Sequence, residues 1–140
     1  MSTNSNELTS ELIGTDYEGW NDELWQEFKT NVFNGQVGAL LLSENQRARL
    51  WEIRLRPGER LPAHRHVLDY FWVAIEPGRS LQHASDGTTR IVAYAAGDNK
   101  HFTFSAGEYL LHDLENIGDT ELVFSTVEFL DSVNTSLPPG

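Results

Sequence analysis

Two histidines, His64 and His66, stand one residue apart in the segment RPGERLPAHRHVLDYFWVAIEPG, residues 56–78. They follow a Pro-Gly turn and precede a run of aromatic and β-branched residues typical of a strand. Alternate residues of a strand point to the same side, with Cα atoms about 7 Å apart. The two imidazoles could therefore bind one metal ion.

A third ligand is needed for a stable site, and His112 in YLLHDLENIGD is the best candidate. It belongs to a different predicted strand near the C-terminus. His101, in NKHFTF, is an alternative third ligand or a residue of the outer face between buried phenylalanines. The chain has no cysteine, so any metal must be held by nitrogen and oxygen.

The composition of the chain limits the classes of partner that it could bind. The formal net charge of the 140 residues is −11, which argues against nucleic acid or an anionic membrane surface as a partner. No apolar run approaches the roughly 18 residues that span a bilayer, and the first residues lack the pattern of a signal peptide. We expect a cytoplasmic protein that binds a small molecule.

The N-terminal part is predicted to be a tail followed by a helix. Residues 1–14 are polar and are expected to be mobile, whereas residues 15–36 carry a helix with a strongly apolar face. Asn21 or Asp22 can cap its start and Asn34-Gly35 can end it. We expect this helix to pack on the rest of the chain.

Residues 37–131 are predicted to form an all-β antiparallel barrel, followed by a C-terminal tail, residues 132–140. Short strands alternate with turn segments such as RPGERLP, residues 56–62. Some strands, for example YFWVAI, are apolar on both faces, so their outer side also needs cover. The helix could supply some of it and a second subunit the rest, which predicts a homodimer.

The order of these residues resembles the two motifs of the cupin superfamily. The first motif is matched by Gly58, five residues, His64-Arg65-His66, and a closing Gly78. The second is matched in its latter half by His112, three residues and Asn116, with Gly97-Asp98 as its start. The resemblance implies a small double-stranded β-helix (jelly-roll) barrel of the RmlC-like type with a metal at its centre, and it covers about residues 37–130.

The chain departs from the family pattern at the glutamate of the first motif. Tyr70, or Phe71, occupies that slot, and Asp69 precedes it. The resemblance then implies a three-histidine site without a carboxylate, similar to the cupins among thiol dioxygenases and diketone-cleaving dioxygenases. The expected cofactor is a divalent transition metal, with Fe²⁺ first and Ni²⁺, Zn²⁺ or Mn²⁺ as alternatives.

Four further residues have both a functional and a structural interpretation. Tyr70 either fills the pocket or places its hydroxyl beside a metal-bound substrate as a catalytic group. Asp69 either orients His64 or His66 by a hydrogen bond or lies at the surface. Arg54 or Arg56 either binds a substrate carboxylate at the barrel mouth or pairs with surface acids.

Three functions are compatible with these residues. The first is a metal-dependent dioxygenase or lyase acting on a small organic acid or carbonyl compound. The second is a non-catalytic barrel that binds or senses a small ligand. The third is a metal-free epimerase or isomerase that uses His66 as base and Tyr70 as acid.

Overall fold

The computed structural model describes residues 9–140, which form one helix and two antiparallel sheets of five strands each. The elements are β1 (Thr9–Gly14), α1 (Asp22–Thr30), β2 (Leu40–Glu44), β3 (Ala48–Leu55), β4 (Arg60–His66), β5 (Tyr70–Ala74), β6 (Gly78–His83), β7 (Thr89–Tyr94), β8 (Asn99–Phe102), β9 (Leu110–Asn116) and β10 (Leu122–Phe129). One sheet has the order β1-β7-β6-β9-β4 and the other β2-β3-β10-β5-β8. The predicted all-β architecture is confirmed.

The two sheets enclose an apolar core made by inward-facing alternate residues. On β3, for example, Ile53 and Leu55 are buried whereas Arg54 between them is exposed. The core cluster joins both sheets and consists of Ile53, Leu55, Leu61, Ala74, Val92, Tyr94, Leu114, Leu122 and Phe124. Burial of this apolar surface holds the sheets face to face.

The strand β1 corrects part of the predicted mobile tail. Residues 9–14 pair antiparallel with β7, from Thr9 opposite Ala93 to Gly14 opposite Thr89. Their polar composition gave no strand signal, because an edge strand needs main-chain hydrogen bonds more than an apolar face. Residues 1–8 of the predicted tail lie outside the described residues.

The helix α1 starts where the sequence predicts and ends earlier. The Asn21 side chain accepts a hydrogen bond from the backbone N–H of Leu24 at 2.8 Å and caps the helix. The last helical residue is Thr30, four residues before the predicted Asn34-Gly35 stop. After the helix, the side chains of Asn31 and Asn34 both donate to the backbone oxygen of Ala63, at 3.0 Å each, and join this segment to β4.

The helix packs on the outer face of β4 and β9. Phe28 is buried against Ala63 and Leu111, so the apolar face predicted for the helix covers the barrel. Within residues 9–140, no helix is long and apolar enough to cross a membrane.

A β-bulge interrupts β4 just before its histidines. The pairing with β9 shifts between Leu61 and His64, and Pro62, which lacks an N–H, lies inside the bulge. The sequence predicts a break over residues 56–62, whereas β4 already begins at Arg60. The extra residue of the bulge turns both His64 and His66 toward the interior.

Two residues of the cupin-like motifs, Gly58 and Asn116, have structural roles at turns and strand ends. Gly58 has a φ of +86°, a left-handed conformation that favours glycine. Asn116 is buried and donates to the backbone oxygens of Leu55 and Thr120 at 2.9 and 2.8 Å while accepting from the N–H of Gly118. The Asn116 amide thus joins the ends of neighbouring strands.

Candidate metal centre

Three histidines converge on the inner face of the paired strands β4 and β9. His64 lies directly opposite His112 in the register, and His66 is two residues further along β4. The ring centroids are 4.7 Å apart for His64 and His112, 5.0 Å for His64 and His66, and 5.2 Å for His66 and His112. The clustering of these three residues agrees with the prediction from spacing.

Hydrogen bonds orient two of the three rings. The Nδ1 of His64 lies 2.8 Å from the backbone oxygen of Pro62, which can only accept, so Nδ1 carries the proton and Nε2 keeps its lone pair. The Nδ1 of His112 lies 3.2 Å from the Oε1 of Gln82 in the same arrangement. The Gln82 amide is itself oriented, since its Nε2 donates to Tyr94 Oη at 3.0 Å and Ser80 Oγ at 3.2 Å.

The third ring is held by stacking instead. His66 lies parallel to Tyr70, with centroids 3.9 Å apart and an interplanar angle of 10°, and Tyr70 stacks in turn on Phe102 at 4.5 Å. The Nδ1 of His66 is buried and has no hydrogen-bond partner among the described residues. A buried polar atom without a partner is costly unless something binds it.

Burial keeps all three imidazoles neutral at pH 7. It lowers the pKa of His64 to about 4 and that of His112 to about 3. The pKa of His66 is also well below its usual value, because the ring is buried and lies beside the other two histidines. Neutral imidazoles are the form that binds metal ions.

The spacing of the ring nitrogens suits a single ion after small adjustments. One candidate ligand atom from each histidine lies within 4.8 Å of the others. Metal–nitrogen bonds of about 2.1 Å would place the nitrogens roughly 3.0–3.5 Å apart. Side-chain rotations that bring the nitrogens closer by about 1–2 Å would therefore complete the site. The neutral donor set and the unpartnered His66 nitrogen both fit a metal.

The histidines form one wall of a cavity of about 270 Å³ between the two sheets. Apolar side chains line most of it, among them Ile53, Trp72, Leu114 and Phe124. The remaining wall is polar, and at its outer end lie Ser10, Asp86, Thr88, Arg90 and Lys100. We call these five residues the cavity mouth.

No family model matches the sequence, and no curated protein matches it. Solved structures do, among them a cupin domain from Bordetella pertussis Tohama I with 27% identity and a TM-score of 0.56, covering 64% of this chain and 88% of that chain. The chain has the double-stranded β-helix fold of the cupin superfamily. The predicted barrel is thereby confirmed.

Two more distant structures share the fold alone. An RmlC-like cupin family protein from Methanocaldococcus jannaschii has 20% identity and a TM-score of 0.51, over 64% of this chain and 75% of that chain. An uncharacterized conserved protein with a double-stranded β-helix domain from Klebsiella pneumoniae has 19% identity and a TM-score of 0.53, over 69% and 79%.

The structure places the predicted substrate-binding arginines outside this cupin cavity. Arg54 lies on the outer face of β3, where it binds Glu121 at 2.8 Å and Glu52 at 3.5 Å. Arg56 is exposed in the turn after β3. Neither lines the cavity, so the prediction that one of them reaches the barrel mouth is wrong. The alternation of β3 turns Ile53 and Leu55 inward and Arg54 outward.

Asp69 and His101 are also away from the three histidines. The Asp69 carboxylate accepts from the backbone N–H of Phe104 at 2.9 Å and does not orient a histidine. The acceptors that orient His64 and His112 are instead Pro62 and Gln82. His101 is exposed and stacks on Phe71 at 4.9 Å on the outer face, so His112 completes the cluster.

His83 is bound to a buried carboxylate. Asp113 is fully buried and accepts from the backbone N–H of His83 at 2.6 Å and from its Nδ1 at 2.9 Å. The same carboxylate accepts from Arg60 at 2.7 Å, and Arg60 makes a bidentate contact with Glu27 of α1 at 2.8 and 2.9 Å. This network, Glu27-Arg60-Asp113-His83, fastens α1 to the outer side of the histidine-bearing strands.

Proposed function

We propose that this cupin binds one divalent transition metal ion through His64, His66 and His112 and acts on a small organic acid or carbonyl compound. One observation carries the proposal. Three neutral imidazoles that line a mostly apolar cavity each offer a nitrogen within 4.8 Å of the others, and two of the rings are fixed with Nε2 free.

The donor set favours a metal that accepts nitrogen ligands. Iron fits this set and the proposed chemistry best, with Ni²⁺, Zn²⁺ and Mn²⁺ as alternatives. Three protein ligands leave open positions where such an ion supplies Lewis-acid or oxygen chemistry to a substrate. We therefore propose a dioxygenase- or lyase-like reaction.

Tyr70 is proposed as a hydrogen-bond donor to the substrate. Burial raises the pKa of Tyr70 well above its usual value, and the nearby Glu128 carboxylate adds to the shift, so the hydroxyl stays protonated at neutral pH. The ring lines the cavity and stacks on His66. A hydroxyl that stays protonated can donate a hydrogen bond to a substrate oxygen.

The variant Tyr70→Phe is expected to keep its metal and lose activity. The phenylalanine ring preserves the stacking, whereas loss of a hydrogen-bond donor to the reacting substrate lowers turnover by about 10²-fold or more. Metal content by elemental analysis and turnover with the best substrate provide the two readouts. Unchanged turnover would assign Tyr70 to packing alone.

Gln82 is expected to act on metal affinity through His112. Because the Gln82 carbonyl oxygen holds the His112 ring, Gln82→Leu should weaken Zn²⁺ binding by about 10–100-fold. Competition with a chelating dye would measure the affinity. Gln26→Leu on the exposed face of α1 is the matched control, since it makes the same change away from the histidines. An equal loss in both variants would contradict the orienting role.

An oxygen-uptake assay tests the reaction type. Protein loaded separately with Fe²⁺, Ni²⁺, Zn²⁺ or Mn²⁺ is mixed with small carboxylates and carbonyl compounds under air and under nitrogen. Consumption of oxygen with one metal supports a dioxygenase, and product formation without oxygen supports a lyase. If ligands bind and no product forms with any metal, the protein is a binding or sensing cupin.

The stacking of His66 and Tyr70 disfavours a metal-free epimerase. Such a reaction needs a base and an acid on opposite sides of a substrate, whereas these rings lie parallel and in contact at 3.9 Å. The low pKa of His66 also makes it a weak base.

We also propose a cytoplasmic homodimer, as the sequence predicts. Support comes from the edge strand β2, on which Leu40 and Leu42 are 55% and 49% exposed. Sedimentation equilibrium would give the mass directly.

A further inference from the structure

Two cationic side chains point into the cavity mouth from opposite sheets. Arg90 shares the inner face of β7 with Val92 and Tyr94, because alternate residues of a strand face the same way. Lys100 shares the inner face of β8 with Phe102, and its Nζ lies 5.1 Å from the centroid of the Phe102 ring. Both are exposed at the outer end of the cavity.

These cations contrast with the acidic character of the chain. The sequence has 21 acidic and 10 basic residues, yet the cavity lining contains two cations and a single acid, Asp86. The Oδ1 of Asp86 accepts from the backbone N–H and the hydroxyl of Thr88, at 3.0 and 2.6 Å. The local charge is therefore positive in a protein whose overall charge is strongly negative.

Neither cation is paired with an acidic side chain within residues 9–140. Arg90 makes one long hydrogen bond, 3.5 Å to Ser10 Oγ, and no ion pair of this part of the chain includes Arg90 or Lys100. The cavity-lining residue directly opposite Arg90 in the β6–β7 pairing is the neutral Gln82. Within the described residues, the guanidinium and ammonium groups are therefore available to an anion.

The cavity lining beyond the mouth is mostly apolar and includes the three histidines. Trp72, Phe102 and Val92 line this part. A ligand that fills the cavity would therefore have one anionic end, a small apolar body and a far end that reaches His64, His66 and His112.

We propose that Arg90 and Lys100 form a carboxylate-binding pair at the cavity mouth, which selects small organic acids with a compact apolar body. The proposal deepens the proposed function and rests on it only for the reaction at the far end of the ligand. Arginine binds a carboxylate through two parallel N–H groups, and lysine adds a point charge.

Matched ligands that differ in charge test the pair. Benzoate with benzamide, and butyrate with butyramide, are titrated calorimetrically into metal-free protein, in which no ion can bind the carboxylate. We expect each acid to bind at least 5-fold more tightly than its amide. Arg90→Gln and Lys100→Gln should each weaken acid binding by about 3–5-fold and the double variant by about 10–20-fold, as for partly exposed ion pairs, with no change for the amides.

Arg54→Gln is the control, since it removes an arginine of the outer face that does not line the cavity. Thermal melting confirms that each variant is folded. The proposal would be overturned if the acids bind no more tightly than their amides, or if no binding of the acids is detected. It would also be overturned if Arg54→Gln weakens acid binding as much as Arg90→Gln and Lys100→Gln do. Metal content is measured separately, so acid binding without a metal site would leave this pair standing and remove the metal-dependent function.

Discussion

Replacing His64 by alanine is expected to remove the metal from the protein. The parent should carry about one divalent ion per chain after purification without an affinity tag, and the variant none. Two imidazoles remain, His66 and His112, and two neutral ligands do not hold a transition metal against dilution. His64 also lies directly opposite His112 in the β4–β9 register, so its loss removes the centre of the cluster.

Elemental analysis of both proteins measures the result, and circular dichroism checks the fold. His101→Ala is the matched control because His101 is exposed on the outer face and lies outside the cluster. Metal retained in His64→Ala, or lost equally in His101→Ala, would exclude the three-histidine site. A parent without metal even after incubation with Fe²⁺, Ni²⁺, Zn²⁺ and Mn²⁺ would exclude a metal function altogether.

Replacing Arg60 by methionine is expected to destabilise the fold by about 2–4 kcal/mol. The Arg60 guanidinium binds both Glu27 and the fully buried Asp113. Burial alone would raise the pKa of Asp113, but hydrogen bonds from His83 and Arg60 outweigh it and hold that pKa below its usual value. Methionine fills similar volume and leaves the buried carboxylate with His83 alone.

Urea unfolding of the metal-free protein gives the free-energy change without a contribution from the ion. Arg56→Met is the control, since Arg56 is exposed, and its expected effect is within about 0.5 kcal/mol. A loss for Arg60→Met no larger than that of the control would show that the network does not fasten α1 to the barrel.

Local sequence patterns were sufficient for part of the site and of the fold. The alternation of His64 and His66 requires only strand geometry, and the Asn21 cap requires only its own first turn. The motif spacing also identified His112, although nothing local places it opposite His64. That position follows from the pairing of two strands almost 50 residues apart in sequence.

Other residues were missed because their roles depend on packing between distant segments. Gln82, Arg90 and Lys100 lie on β6, β7 and β8, and their convergence follows from sheet order and strand parity. The parity of Arg54 was undetermined from sequence, since the Pro57-Gly58 turn and the bulge at Pro62 each change the phase of the chain.

By itself, the sequence determined the barrel class through the succession of strands, turns and motif residues. It also determined the histidine pair and the start of the helix, because these two depend on interactions within a few residues. Only the tertiary structure decided which cations face the cavity, that residues 9–14 join the sheet, and that Asp113 is buried beneath α1. Those features depend on hydrogen bonds and charge contacts between segments far apart in the chain, whose register no local pattern specifies.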